Sequence, residues 1–408
     1  MLLRIFPTLL FFSIGFIHSC SDQSKTDDST DQTFTAEDGC LEDNLEFVNL
    51  SSEKGISSPT SQYSGFFFTT TDSSFSSSNL MYNDFQSGKI YTVLVGESSD
   101  VSLSWTNGRL FLFNRATGNL NFRILTPIES GFKQSCQSAT PKASVGDAHD
   151  VIQIDSKHAL ITYGVKGQIV LIDTVTGKLV QELRDFDVGK NALNSFSLFK
   201  WNSDTILAPH QGISDDYTAT TKTESVFVLK YVDGVLSIAD QNEELDGNQG
   251  IKTTIHNPTI MKAETSDELI VFGLCGIYSP EGCTAGAESL SLKGNKWTSS
   301  STWDLNESSL KSNGGVAFNS QSKIYASTIE NAIKSISSFD LSSNQSKSLH
   351  IFPAASSGYA ALFYDGSTEA LYVGDSLGEK GQISVYSQEK LSTTTPVAGI
   401  PSNGVLIK

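Results

Sequence analysis

The residues of this chain whose types could do chemistry are three histidines with carboxylates near them in sequence. They are His149, His210 and His256, accompanied by Asp147, Asp150, Asp215 and Asp216. Imidazoles with carboxylates suit a divalent transition metal, and three protein ligands leave a fourth position open for water. Water activated there would support a lyase or a hydrolase. The same residues also have a structural reading. His149-Asp150 and His256-Asn257-Pro258 are turn pairs able to tie one element to the next through backbone hydrogen bonds. Other motifs are absent from the sequence. Gly146-Asp-Ala-His-Asp and Asp215-Asp216 lack the full oxygen set of a calcium loop. There is no Gly-x-Ser-x-Gly elbow and no phosphate-binding glycine loop ahead of a helix. The serine-rich stretches 73–78 and 299–301 read as exposed loops.

Whether the histidines meet depends on the elements that carry them. From His149 to Asp185, three apolar runs recur between polar turns: Ala159-Leu-Ile-Thr-Tyr-Gly, Gln168-Ile-Val-Leu-Ile-Asp and Leu179-Val-Gln-Glu-Leu. Runs of this kind recur at a spacing near fifty residues, with the period-two alternation of strands and no helical period outside the first residues. The pattern predicts an all-β fold, a seven-bladed β-propeller, with six or eight blades as alternatives. The inner strands of blades three to seven are expected at 149–154, 195–200, 258–262, 315–319 and 359–364. Blade two takes Val101-Ser-Leu-Ser-Trp, Arg109 to Asn114 and the run from Asn119. Blade one has Gly65-Phe-Phe-Phe-Thr, Asn79-Leu-Met-Tyr and Ile90-Tyr-Thr-Val-Leu but no inner strand. The lone final run Gly404-Val-Leu-Ile is expected to supply it, closing the ring and removing the open edge. The three histidines then fall at one face, over blades three, four and five. Insertions at 211–224 and 277–287 lie between second and third strands, and Trp105, Trp201, Trp297 and Trp303 are expected to pack between blades.

Leu160-Ile-Thr-Tyr-Gly followed by Gly167-Gln-Ile-Val-Leu-Ile-Asp-Thr-Val-Thr-Gly-Lys-Leu-Val resembles the YVTN-type propeller repeat. Leu371-Tyr-Val-Gly-Asp with Gly381-Gln-Ile-Ser-Val-Tyr is a looser copy. The resemblance implies a seven-bladed disc, mostly without established enzyme activity. The tryptophan repeat of quinone-cofactor propellers is not evident.

Residues 1–19 read as a signal peptide: Arg4 precedes the apolar stretch Ile5 to Ile17, which is short for a membrane span. Ile17-His-Ser-Cys20 resembles the lipobox of bacterial lipoproteins, which implies lipidation of Cys20. Residues 20–44 follow as an acidic tether too polar to bury surface, and 45–408 form the propeller. Ser21 in place of aspartate after the cysteine implies, by the same resemblance, an outer-membrane lipoprotein of the cell envelope. With Cys20 set aside, Cys40, Cys136, Cys275 and Cys283 could form two disulfides in an oxidising compartment, with three pairings open. Cys275 and Cys283 flank one turn, and their pairing would leave Cys40 with Cys136. A formal charge of −17 argues against nucleic acid and against adhesion to an anionic bilayer. The expected role is a monomeric binding or scaffold module, taking a protein or glycan partner on the insertion-bearing loop face. The alternative is a metal-dependent lyase or hydrolase at the channel mouth. No cofactor is expected beyond the divalent metal the histidines could hold.

Overall fold

The computed structural model describes residues 64–407, apart from 73, 75, 86, 98–100, 115–120, 129–130, 140–147, 164–167, 184–196, 211–224, 242–249, 257, 263–266, 277–278, 280, 306–309, 320–321, 354–360 and 378–379. The leader, Cys20, Cys40 and the tether therefore lie outside the described residues. Among the described residues the strands form seven antiparallel sheets and there is no helix. Six sheets have four strands and one has five. The sheets are the seven blades of a β-propeller, and the inner strands of blades six, seven, one, two and three contact one another in turn.

Both faces of a blade must be apolar, because each is covered by a neighbour. The alternation of side chains supplies this directly. Phe66 and Phe68 pack toward blade seven, while Phe67 between them packs toward blade two. In blade three, Leu160, Ile169 and Leu171 face blade four, whereas Ile161, Val170 and Ile172 face blade two. The hydrophobic core is thus seven wedges, one between each pair of neighbouring blades. The tryptophans sit in them as expected: Trp201 meets Trp297 edge-on at 5.1 Å between blades four and five. Trp105 packs by Phe67, and Trp303 by Phe339.

Blade one closes as the sequence requires. The terminal strand Ile400–Ile407 pairs antiparallel with Gly65–Thr71, which continues to Ser78–Asp84 and Ile90–Glu97. Phe68 stands opposite Gly404, and a bulge follows before Thr70 meets Pro401. A Cβ on Gly404 would collide with the Phe363 ring and the Phe67 carbonyl, so blade seven packs against backbone there.

Blade four departs from expectation twice. Of the described part of its anticipated inner strand, 197–200, only Phe199–Lys200 pairs. A fifth strand, Ile251–Lys252, adds to the third strand Ser225–Val232 at Ser225 and Val226.

Candidate functional site

The propeller has two ends. Connections from rim to inner strand, and from second to third strand, share one end, as His256 and Thr284 demonstrate in blade five. The His256 backbone N–H donates to the Thr284 carbonyl at 3.0 Å. Its Nδ1 accepts the Thr284 N–H at 2.9 Å and lies 2.7 Å from Thr284 Oγ1. His256 is buried and held by a turn, which is the structural reading of His256-Asn257-Pro258. His210 is also buried, with its ring parallel to Phe227 at 6.2 Å. His149 lies in the inner strand of blade three, Ala148–Gln153, partly buried. Asp147, Asp215 and Asp216 lie outside the described residues. Among the described residues no group of three or more His, Cys, Asp or Glu side chains is placed to hold a metal ion. The three histidines sit at the same end of the propeller, each built into its own blade.

Asp150 is the carboxylate of that region with a defined environment. Oδ2 accepts the Leu198 N–H of blade four at 2.8 Å, and Oδ1 accepts the Val151 N–H at 2.8 Å. Burial in the wedge between the blades pushes its pKa up to about 6, opposed only in part by those hydrogen bonds. Around it, Ser102 and Ser104 donate to the carbonyls of Ala148 and Val151, and Lys200 donates to that of Ile154. The inner strands of blades two, three and four are therefore stitched side chain to backbone, the inter-blade tie that His149-Asp150 could provide.

At the opposite end, turns join first to second and third to rim strands. Asp155, His158 and Tyr231 cluster there between blades three and four. Asp155 Oδ2 lies 2.8 Å from His158 Nδ1 and accepts the Tyr231 hydroxyl at 2.8 Å. Burial works against the Asp155 carboxylate, but the bonds from His158, Lys157 and Tyr231 hold it down to about 2. Each of these groups is used by another, and the cluster fastens one blade to the next.

The same end carries an open cavity of about 220 Å³ between blades six and seven. Three tyrosines line it, one from each of three strands: Tyr325 in Lys323–Glu330, Tyr364 in Leu362–Asp365, and Tyr386 in Lys380–Ser387. Tyr325 and Tyr364 stack at 5.7 Å. Burial raises the Tyr325 phenol, with the Glu389 charge adding to it, and burial pushes Tyr386 up to about 12, so both stay protonated at neutral pH. Tyr386 shares a 2.6 Å hydrogen bond with His350 Nδ1, and His350 Nε2 lies 3.8 Å from the buried Asp375 carboxylate. At the mouth, Glu389 takes Lys323 Nζ at 2.7 Å and Lys347 Nζ at 3.2 Å. Burial pushes its carboxyl up, but the two ammonium groups outweigh that and lower it.

Gln388 and Glu389 both have positive φ, 49° and 62°, as a two-residue hairpin turn demands. Elsewhere the chain meets that demand with Asn107-Gly108, Asp233-Gly234 and, again without glycine, Asn331-Ala332. At 388–389 a carboxylate occupies the position where glycine fits best, and it is the carboxylate that makes both ion pairs.

Sequence reasoning expected the ligand at the other end, on the face that carries 211–224 and 277–287, and did not point to this cavity. Its signal was faint: three tyrosines scattered over sixty-odd residues, and a hairpin Ser387-Gln-Glu-Lys lacking glycine. The insertion 211–224 lies outside the described residues, and 277–287 is described in part. There Cys275 and Cys283 form a disulfide with Cα atoms 6.0 Å apart. The Ser312 N–H of blade six donates to the Cys275 carbonyl at 2.7 Å, so the stapled loop is docked on the next blade. Cys136 falls in the rim strand Gly131–Ala139 of blade two.

No family model and no curated protein matches the chain. Solved structures do. The periplasmic gluconolactonase of Pseudomonas aeruginosa superposes with a TM-score of 0.59 at 12% identity, over 85% of this chain and 99% of that one. A Lactobacillus plantarum protein gives 0.57 at 9% identity, over 85% of this chain and 100% of its own. A quinonprotein alcohol dehydrogenase-like protein from Bacteroides thetaiotaomicron gives 0.54 at 14%, over 84% and 78%. Likeness at these identities extends to the path of the backbone and stops short of the chemistry, since one propeller frame carries unrelated functions.

Proposed function

We propose that this chain is a glycan-binding propeller held at the cell envelope by a lipid on Cys20, with its ligand seated between blades six and seven. The observation that carries the reading is the tyrosine-lined cavity with its ion-paired rim. Tyrosine offers a flat apolar face and a hydroxyl at low conformational cost, a combination that fits sugar rings, whose C–H faces are apolar and whose edges are polar. Of the two partner classes considered from sequence, this lining favours the glycan. The lipobox resemblance and the acidic tether support display of the body away from a membrane surface.

The test uses the full chain carrying Cys20→Ala, co-sedimented with peptidoglycan sacculi and run in affinity gels containing lipopolysaccharide or neutral polysaccharide. Retention on at least one polymer, weakened tenfold or more by Tyr364→Ala, is expected. Absence of retention on all of them together with no binding of any free sugar or glycoside, or retention indifferent to Tyr364→Ala, would overturn the reading.

A further inference from the structure

We infer that the cavity between blades six and seven takes one uncharged pyranose ring, either a free sugar or the end residue of a chain. The inference rests on the glycan reading of the same cavity and narrows it. Size comes first. At about 220 Å³ the space falls below the ~300–1,000 Å³ of pockets that enclose drug-sized ligands, so one ring fits and a longer segment must continue outside.

Charge decides the ligand's class. Lys323 and Glu389 face the cavity and neutralise each other at 2.7 Å, with Lys347 behind on the same carboxylate. Glu369 also lines the mouth, so two carboxylates balance the two ammonium groups, and an anionic sugar finds no net positive charge there. A quaternary ammonium, the other natural guest of an aromatic cage, meets the Lys323 ammonium. A neutral polyol incurs neither repulsion, and its hydroxyls can donate to Glu389 and accept from Lys323.

Fixed groups then set orientation. The Tyr386 phenol is anchored by His350 from the rim strand Gln345–Ile351, and Tyr325 and Tyr364 brace one another as a stacked pair. Glu389 is held from both sides by lysines, in a turn conformation that glycine would adopt at lower cost. Such preorganisation lowers the ordering cost of binding, which for a single small ring decides whether binding is measurable.

The test titrates full-length Cys20→Ala protein, by calorimetry and saturation-transfer NMR, with the methyl glycosides of glucose, galactose, mannose and N-acetylglucosamine. Glucuronate, glucosamine and tetramethylammonium are the charged probes. At least one neutral glycoside should bind tenfold or more tighter than every charged probe, and Tyr364→Leu or Glu389→Gln should each weaken it about tenfold. Asp155→Asn, between blades three and four at the same end, should leave it unchanged. Competition on the unsubstituted body needs no pocket variant. Displacement from a polymer by the glycoside identifies an end residue, and glycoside binding without polymer retention identifies a free sugar. Polymer retention that no neutral glycoside displaces, or equal binding of charged probes, overturns this inference and leaves the broader reading standing. Glycoside binding untouched by both pocket variants overturns it as well.

Discussion

Replacing Asp150 by asparagine isolates the energetic effect of one buried carboxylate. Its pKa rises from 3.8 to about 6, chiefly through burial between blades three and four. Between those values the folded state binds the proton and the unfolded chain does not. Protons bound by the native state stabilise it as pH falls, so this group's contribution is complete below about pH 4 and is lost as pH rises through about 6. At ~1.4 kcal/mol per unit, a shift of two units is worth about 3 kcal/mol. An unfolding entropy of ~2.1 cal/mol/K per residue, over some 340 residues, converts this to about 4 °C in Tm. Asparagine keeps an acceptor for the Leu198 or Val151 N–H but cannot titrate. Calorimetric Tm values would be taken for both proteins at several pH values between 4 and 7. The Tm of the parent minus that of Asp150→Asn should be about 4 °C more positive at pH 4 than at pH 7. Carboxylates held low, such as Asp155 and Glu389, titrate in both proteins and cancel in the difference. A difference that stays flat across the range would refute the argument, because the group would then ionise alike in both states.

Gly404→Ala should destabilise by about 1–3 kcal/mol, since the added methyl meets the Phe363 ring and the Phe67 carbonyl, and hydrogen exchange should quicken first at Phe66 to Phe68. Cys283→Ser opens a disulfide spanning 8 residues, worth ~2–3 kcal/mol by loop entropy, and should lower Tm by about 4 °C without altering glycoside binding.

Strands whose two faces are both covered leave an unusually clear trace. Phe66, Phe67 and Phe68 in succession, or Leu160 beside Ile161, can only be strand residues buried on both sides, and their spacing counts the blades. Closure was legible for a related reason: blade one had three strands and the chain had one to spare. The short pairing in blade four was not, because Ser195 to Lys200 has the right alternation, yet among its described residues only Phe199 and Lys200 meet a partner. The site was legible least. Histidines drew attention by type, yet His210 and His256 are buried parts of their own blades. Tyr325 and Tyr386 are core residues of the wedge between blades six and seven, with Tyr364 packed against it. That they also border a gap between two sheets is something no local pattern records.

The pairing of Gly65 with Ile407 also has a temporal side. During synthesis the strands of blade one emerge long before the strand that completes their sheet. Until then Phe66, Phe67 and Phe68 have no inner partner, and blades one and seven cannot share their core. Joining points so far apart along the chain is entropically costly and slow, which places ring closure late in folding. A chain lacking 400–407 would keep a raw apolar edge, an easy target for proteases, whereas the closed ring hides it. The final seam is therefore the step that seals the apolar edge of blade one.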